Sequence, residues 1–228
     1  MIIVLEGPQG AGKGTCAQGL KDELDAQVFE SGRELRKIAK NDSGLGRELK
    51  GVLDSGGLVS DGHIYFLTKD WLNTVPVGEN MILDGCPRKL TQTKDIEKLL
   101  AMRGEKIDFV VVLCISDEVA VGRLLDRLIC SGEMEQVFNF NSKPPKSEGI
   151  CDYDGLPLIR RVDETPVTIK ARLKNYHQET VPVIEYFKER GIVTEVDANM
   201  PIEAVFNEVL KRITYRFGPL ENLSSISK

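Results

Sequence analysis

The sequence predicts an α/β fold in which helices cover both faces of a parallel sheet. Three observations support this: short apolar, often β-branched runs recur along the chain, helical patterns separate them, and a glycine-rich turn joins the first run to the first helix. Runs that are apolar throughout suit parallel strands buried between two layers of helices. The predicted strands are residues 2–5, 28–31, 81–83, 109–115 and 192–196.

Helical periodicity occupies the segments between these strands. The predicted helices cover residues 14–24, 32–54, 61–74, 91–102, 117–129, 164–189 and 202–213. Residues 130–161 interrupt the alternation with glycine, proline, asparagine and serine, so we expect a small inserted lobe there. The last dozen residues, 217–228, are polar and turn-rich and are expected to form a loosely held tail.

Composition and charge argue against several classes of protein. A chain of 228 residues can bury the core of one domain with small insertions. The net charge is −5 without a strongly basic block, which argues against a nucleic-acid-binding surface. No apolar run approaches the length of a membrane span, and the first residues resemble a buried strand more than a signal peptide, so we expect a cytoplasmic protein. Five scattered cysteines predict reduced thiols.

The glycine-rich turn has the chemistry of a phosphate-binding loop. Residues 7–15, GPQGAGKGT, lie between the first strand and the first helix. Glycines allow backbone N–H groups to surround phosphate oxygens, the helix N-terminus favours an anion, and Lys13 adds a cation. The Thr15 hydroxyl can order Mg²⁺ directly or through water. The predicted ATP-binding residues are Gly10, Ala11, Gly12, Lys13, Gly14 and Thr15.

The loop alone leaves the reaction open, because GTPases, ATPases and small-molecule kinases share it. The spacing G-x-x-G-x-G-K-G-T nevertheless resembles that of adenylate kinases, and residues 84–88, DGCPR, resemble their D-G-F-P-R signature with Cys86 in place of Phe. The resemblance implies that Arg88 and Gly85 belong to the acceptor site, with Arg88 on the α-phosphate. It also implies that Asp84 orders waters around Mg²⁺ and that Gln92 hydrogen-bonds the adenine edge.

Two further segments resemble the acceptor side of the family. Residues 31–36, SGRELR, resemble T-G-D-M-L-R, which implies that Arg36 grips the monophosphate and that Ser31 lies in the same site. Residues 53–61 resemble M-D-A-G-x-L-V-T-D, whose Leu and Val line the acceptor nucleoside. Taken alone, the matching Leu58 and Val59 would be core residues. Arg33 departs from the family's Asp, so it could weaken the metal's water shell, contact a phosphate or face solvent.

The remaining matches are arginines. Arg123 and Arg127 are spaced i, i+4 and on their own would form a solvated basic helix edge. The resemblance implies that Arg123 packs against the donor adenine and that Arg127 reaches the phosphates, while Arg161 and Arg172 match two more arginines of the family. Such cations would clamp an in-line phosphoryl transfer that needs no general base. The implied catalytic set is Lys13, Asp84, Arg88, Arg127, Arg161 and Arg172.

The inserted lobe carries a candidate metal site. Cys130-x-x-Glu133 and Cys151-x-x-Asp154 fall near the C-x-x-C and C-x-x-C or C-x-x-D pairs of zinc-bearing relatives. Two thiolates and two carboxylates are a chemically acceptable tetrahedral Zn²⁺ set. Other relatives stabilise this lobe by polar contacts, so a metal-free polar or thiol cluster is the alternative.

Together the motifs resemble the long-lid adenylate kinases over residues 1–213. The resemblance implies a P-loop NTPase-type fold and a reversible reaction of Mg-ATP with AMP to give two ADP, in a monomer without nucleic-acid or membrane partners. It implies a core of residues 1–30, 61–121 and 161–213, an acceptor-binding insert of 31–60, a lid of 122–160 and a tail of 214–228. A kinase for UMP, CMP or a deoxynucleotide, or a nucleotide-binding relative that has lost turnover, is also compatible with the motifs.

Overall fold

The computed structural model describes residues 1–132 and 136–219. Its strands are β1 (Ile2–Glu6), β2 (Gln27–Glu30), β3 (Met81–Asp84), β4 (Phe109–Cys114), β5 (Arg127–Cys130), β6 (Val137–Asn139), β7 (Leu158–Ile159) and β8 (Val193–Asp197). Within the described residues, β2-β3-β1-β4-β8 form a five-stranded parallel sheet, which confirms the predicted fold class. A separate antiparallel sheet has the order β6-β5-β7.

Helices alternate with the strands of the parallel sheet. They are α1 (Lys13–Glu23), α2 (Ser31–Ala39), α3 (Gly44–Asp54), α4 (Asp61–Thr74), α5 (Leu90–Ala101), α6 (Asp117–Leu125), α7 (Pro166–Asn175), α8 (Val181–Lys188) and α9 (Ile202–Phe217), with a π-helical turn, Tyr176–Thr180, joining α7 to α8. None of the helices in the described ranges combines the length and the apolar character needed to cross a bilayer.

The core lies on both faces of the parallel sheet. Ile2 and Val4 of β1 pack into one apolar layer, and Ile3 and Leu5 pack into the other. This arrangement explains why β1 is apolar at every position, since each face of a buried parallel strand meets a helical layer. β1 is flanked by β3 and β4, and loops at the carboxyl ends of such strands are the usual ligand-binding edge of an open α/β sheet.

Two predicted helices are shorter than expected. The pattern over 32–54 breaks at residues 40–43, where Ser43 caps α3 by accepting a hydrogen bond from the backbone N–H of Gly46 at 2.9 Å. The pattern over 117–129 ends at Leu125, and the next residues become β5. Leu128 and Cys130 of β5 are buried in an apolar cluster with Phe138, so long-range packing overrides the local helical pattern.

The C-terminal helix is longer than expected. α9 continues to Phe217, within the segment that the sequence analysis assigned to the tail, and the Phe217 ring lies edge-on to that of Phe109, with centroids 5.6 Å apart. This aromatic contact gives the last turn of the helix an apolar partner on the sheet. Residues 220–228 lie outside the described part of the chain.

Candidate functional site

A cavity of about 810 Å³ opens at the carboxyl edge of the parallel sheet, bounded by the phosphate loop, α2, α3 and the lobe that carries the antiparallel sheet. Every nucleotide-site residue named in the sequence analysis lines it. These residues are Gly10, Ala11, Gly12, Lys13, Gly14, Thr15, Ser31, Arg36, Leu58, Val59, Asp84, Gly85, Arg88, Gln92, Arg123, Arg127, Arg161 and Arg172. The structure therefore brings together residues that lie as far apart in the sequence as Gly10 and Arg172.

The phosphate loop requires glycine at specific positions. Gly7, Gly10 and Gly12 have φ values of 134°, 87° and 93°, a region that favours glycine. α1 begins directly after them at Lys13, so the positive helix N-terminus faces the cavity. The Lys13 ammonium donates to the carbonyl oxygens of Gly7 and Pro8 at 2.7 and 2.9 Å. This geometry suits the binding of an oligophosphate.

Three charged groups lie at the base of the loop: Glu6 is buried, and Lys13 and Asp84 are partly buried. Burial lowers the pKa of Lys13 to about 8, an effect that the nearby Asp84 and Glu6 oppose. Burial raises the pKa of Glu6 to about 8 and also raises that of Asp84, in both cases against the attraction of Lys13. Because these groups are shielded from water, their electrostatic interactions with a bound anion are stronger than they would be in solvent.

The acceptor end is organised around residues that follow β3. Arg88 donates from Nε to the carbonyl oxygen of Gly85 at 2.9 Å, and Ser31 donates to the same oxygen at 2.8 Å. Gly85 has φ of 73°, and the nearest atom to an added Cβ would be an Arg88 guanidinium nitrogen at 2.9 Å. A side chain at this position would therefore displace the arginine that the sequence analysis assigns to the acceptor phosphate.

Cys86, which stands where the family signature has Phe, lies beside the cavity. Cys86 is buried, its Sγ lies 3.9 Å from the Thr68 hydroxyl, and burial raises its pKa to about 12. It is absent from the residues that line the cavity in the described part of the chain, which suits a cysteine that packs as a small apolar side chain.

Arg33 faces the cavity. It is among the lining residues, and one of its guanidinium nitrogens lies 4.0 Å from the Glu30 carboxylate, which also accepts a hydrogen bond from Gln18 at 2.7 Å. The Arg33 side chain keeps 21% of its accessible area, so it is partly buried at the cavity wall. Glu30 balances part of the charge that Arg33 introduces.

Two carboxylates hold three of the arginines that line the cavity, Arg127, Arg161 and Arg172, in place. Asp163 accepts a hydrogen bond from Arg161 Nε at 2.9 Å and another from Arg172. Glu164 accepts one from Arg127 Nε at 3.0 Å and lies 3.5 Å from Arg161. Burial and the neighbouring Arg161 lower the pKa of Arg127. Neither carboxylate was given a role from the sequence, although they stand two and three residues after Arg161.

The donor end includes a segment that sequence reasoning missed. Arg123 donates to the carbonyl oxygen of Ala198 at 2.8 Å and to that of Gly10 at 3.4 Å. Residues 198–203, together with Phe206, line this end of the cavity. The available signal was their position directly after β8, because all strands of a parallel sheet end at the same edge.

The residues that line the cavity suit a mechanism that positions bound substrates better than one that forms a covalent intermediate with the protein. Cys16 lines it, but burial raises the pKa of this thiol to about 12, so the thiolate nucleophile is scarce near neutral pH. Neither His63 nor His177 is among the lining residues in the described ranges. Clustered cations, with no histidine among the lining residues that the structure describes, suit the transfer of a phosphoryl group between two bound anions.

A separate cluster lies in the lobe with the antiparallel sheet. Ligand atoms of Cys130, Cys151 and Asp154 all lie within 4.8 Å of one another. Cys130 donates from Sγ to both carboxylate oxygens of Asp154 at 3.0 Å. Glu133, the fourth predicted ligand, lies outside the described residues. The geometry brings three of the four predicted groups together.

Comparisons with known proteins identify a family of similar proteins. The family model described as adenylate kinase matches residues 5–192. The chain is 34% identical over 213 residues to the adenylate kinase of Streptomyces coelicolor, covering 93% of this chain and 98% of the relative. It is 38% identical to that of Vanderwaltozyma polyspora, over 92% of this chain and 94% of the relative. For the adenylate kinase of Methanosarcina acetivorans the identity is 36%, over 96% and 100%.

Proposed function

The chain belongs to the adenylate kinase family, and on this premise we propose that it transfers the γ-phosphoryl group of ATP to AMP, reversibly and with Mg²⁺, to give two ADP. The observation that carries this proposal is the single cavity, which joins a phosphate loop at one end to a second, arginine-lined anion site at the other. Two anion sites in one cavity suit direct transfer between two nucleotides.

At the donor end, the backbone of residues 10–15 binds the ATP phosphates and Lys13 contacts the transferred group. Arg123 packs against the donor base. The support for Arg123 is its pair of hydrogen bonds to the carbonyls of Gly10 and Ala198, which hold the guanidinium across this end of the cavity. Its planar face is then available for stacking on a base.

At the acceptor end, Arg36 and Arg88 bind the AMP phosphate, and Leu58 and Val59 contact the nucleoside, with Ser31 and Gly85 shaping the same site. Gln92 reads the adenine edge. Both residues line the cavity, Leu58 partly buried and Val59 buried in the adjoining core, which supports contact with an apolar ring.

Arg127, Arg161 and Arg172 stabilise the charge that develops on the transferred group, since Asp163 and Glu164 already hold them in place. The Thr15 hydroxyl and the Asp84 carboxylate are hard oxygen donors on the cavity wall, which fits Mg²⁺ and its bound waters. Mg²⁺ supplied with ATP neutralises charge on the phosphates. The protein's own contribution is to hold both nucleotides in line.

We propose that residues 31–60 form an acceptor-binding insert and 122–160 a lid on the core of 1–30, 61–121 and 161–213, which the last turn of α9 extends to Phe217. The support is that 31–60 contain α2 and α3 and that 122–160 contain the whole antiparallel sheet. Closure of such a lid would exclude water and limit hydrolysis of ATP.

We also propose that the lid cluster binds one Zn²⁺ through Cys130, Cys151, Asp154 and Glu133. Its support is the set of three ligand atoms within 4.8 Å, two of them from buried cysteines. Protein purified without chelators should contain about one zinc per chain and should melt at a lower temperature after chelation. Cys151→Ser should remove both properties, and Cys114→Ser, outside the lid, should remove neither. Zinc-free protein with unchanged melting would favour the metal-free thiol–carboxylate pair.

We propose that the protein works as a cytoplasmic monomer. Residues from one chain form both ends of the cavity, so a second chain is not needed to complete it. Sedimentation should give the mass of one chain, 25.4 kDa, with and without nucleotides. Microscopy of the tagged protein in its own cell would test the location.

The function is tested by measuring phosphoryl transfer from Mg-ATP to AMP, CMP, UMP, GMP and dAMP. AMP should be the fastest acceptor, with equimolar loss of ATP and AMP. A faster reaction with CMP or UMP would mean that the preferred acceptor is that nucleotide and not AMP, while the proposed reaction type, transfer of a phosphoryl group from ATP to a nucleoside monophosphate, would stand. Bound ATP without transfer to any acceptor would overturn the proposal in favour of a nucleotide-binding relative without turnover.

A further inference from the structure

The side-chain amide of Gln92 is held at both ends. Gln92 is buried at the start of α5 and lines the acceptor end of the cavity. Its Oε1 accepts a hydrogen bond from the backbone N–H of Arg88 at 2.8 Å, and its Nε2 donates to Asp61 Oδ1 at 3.0 Å. A backbone N–H only donates and a carboxylate only accepts, so only one of the two amide orientations satisfies both partners.

Asp61 is itself fixed by its surroundings. It is the first residue of α4, where the helix dipole favours a carboxylate. Its Oδ2 accepts a hydrogen bond from Thr91 at 2.6 Å, and the Lys89 ammonium lies 3.6 Å from Oδ1. Partial burial raises the pKa of Asp61, but the hydrogen bonds from Thr91 and Gln92 and the charge of Lys89 outweigh this and lower it. The carboxylate thus stays ionised and acts only as an acceptor at Gln92.

The orientation of this amide decides which purine edge it matches. A primary amide has two N–H groups and two carbonyl lone pairs, so one of each remains for the cavity after the contacts with Asp61 and Arg88. A 6-aminopurine presents a donor at position 6 beside an acceptor at N1, whereas a 6-oxopurine presents the reverse order. An amide held in one orientation pairs with one of these edges and opposes the other.

We propose that Asp61 is a positioning residue that fixes the orientation of the Gln92 amide and thereby makes the acceptor site select 6-aminopurine over 6-oxopurine nucleoside monophosphates. The inference rests on the proposed contact between Gln92 and the acceptor base. It assigns to α4 a part in specificity, although Asp61 itself is not among the residues that line the cavity.

The test compares kcat/KM for AMP and for IMP, which carries a 6-oxopurine, at saturating Mg-ATP. Asp61→Ala should narrow the AMP:IMP ratio about tenfold, the factor expected for one lost hydrogen bond to a charged group. Asp61→Asn keeps an acceptor oxygen for Gln92 and should stay within about threefold of the wild type. KM for ATP should not change in either variant, because the donor end is untouched.

Asp117→Ala is the matched control. Asp117 is also the first residue of a helix with a serine cap, and it also pairs with a neighbouring element, His177, but it does not line the cavity. The control should keep the wild-type AMP:IMP ratio. Melting temperatures of all variants separate a loss of specificity from a loss of folding.

Three outcomes would overturn the inference. In the first, Asp61→Ala leaves the ratio unchanged while Gln92→Ala narrows it, so the base contact stands and only the positioning role fails. In the second, neither variant changes the ratio, so the failure lies in the proposed Gln92 contact. In the third, Asp61→Ala lowers activity equally with AMP and IMP together with the melting temperature, as a structural role would. Should Asp61→Ala not fold, Thr91→Val must narrow the ratio in the same direction, and an unchanged ratio there overturns the inference.

Discussion

The Lys13 ammonium lies 2.7 Å from the carbonyl oxygen of Gly7 and is thus turned back onto its own loop. A second carbonyl, that of Pro8, lies 2.9 Å from the same nitrogen. These contacts give a partly buried cation acceptors within its own loop, since a desolvated ammonium without acceptors would lose its proton more readily. Bound phosphate oxygens offer the ammonium stronger, charged acceptors in place of the carbonyls.

Lys13→Met should lower kcat by roughly 10³-fold, because it removes a donor aimed at the transferred group but keeps the length of the side chain. Turnover with Mg-ATP and AMP measures the loss, and nucleotide binding by calorimetry shows whether the loop still forms. Lys21→Met, which removes an exposed ammonium from the last turn of the same helix, is the control and should keep full activity. A decrease of less than tenfold in Lys13→Met would contradict the assigned role.

Asp163→Asn should lower the free energy of unfolding at pH 7 by roughly 3 kcal/mol, because it leaves the buried Arg172 and the partly buried Arg161 without their shared carboxylate. Burial alone raises the pKa of Asp163, but the hydrogen bonds and charges of the two arginines outweigh burial and hold it well below its usual range. A depressed pKa gives stability that is present above the unfolded-state pKa and is lost as the pH falls below it.

The difference between wild type and Asp163→Asn should therefore shrink between pH 7 and pH 3, as urea unfolding at both values can measure. Asp42→Asn provides the comparison, because Asp42 forms a solvent-exposed ion pair with Arg47. That variant should change stability by less than about 1 kcal/mol. A constant difference across the pH range would show that the Asp163 carboxylate acts through its shape and not its charge.

The parts of the molecule that could be predicted from sequence are those whose cause is local. β1 and the phosphate loop follow from an apolar run and from glycines at positions that need positive φ. β5 was predicted as helix because its pairing with β6 and the burial of Leu128 depend on residues further along the chain. Local periodicity carries no information about that pairing.

The same distinction holds within the site. Arg88 and Arg36 could be named because they stand in short motifs, whereas the contact of Gln92 with Asp61 joins residues 31 positions apart on two helices. Glu6 was not predicted as part of the site, because it stands at the end of an apolar strand and directly before the phosphate loop. Its burial, which decides its chemistry, depends on how the strand is covered.

Glu6→Gln should stabilise the protein at pH 9 and have little effect at pH 5. Burial raises the pKa of Glu6 to about 8, and its Oε1 is buried without a hydrogen-bond partner among the described residues. A raised pKa means that the folded state holds its proton more tightly, so stability is lost as the pH rises from the unfolded-state pKa through about 8. Glutamine cannot ionise and does not suffer this loss.

Thermal unfolding at pH 5 and pH 9 measures the effect, with Glu48→Gln as the comparison because Glu48 is exposed on α3. The difference in melting temperature between Glu6→Gln and the wild type should be larger at pH 9 than at pH 5, in favour of the variant. The corresponding difference for Glu48→Gln should be the same at both pH values. Equal shifts at both pH values would mean that Glu6 is ionised throughout the range. Its attraction to Lys13 would then outweigh the cost of its burial.

Gly7→Ala should lower the free energy of unfolding by roughly 3 kcal/mol or more. A Cβ at this position would lie 2.4 Å from the carbonyl oxygen of Leu113 on the neighbouring strand, and φ at Gly7 is 134°. Gly7 directly follows β1 and Leu113 lies in β4, and these strands pair in the buried sheet, so neither backbone can move without loss of ladder hydrogen bonds. Urea unfolding of the purified variant measures the loss, and activity should fall with it because the phosphate loop begins here.

Gly51→Ala tests the same substitution where neither constraint applies. Gly51 lies on the exposed face of α3 with nothing within 4 Å of an added Cβ, and its φ is not positive. Alanine should there raise the free energy of unfolding by about 0.5–1 kcal/mol, because it reduces the freedom of the unfolded chain. Opposite signs at Gly7 and Gly51 would tie the cost at Gly7 to its close approach to Leu113. A loss at both positions would instead indicate that the helix α3 depends on a glycine for a reason other than space.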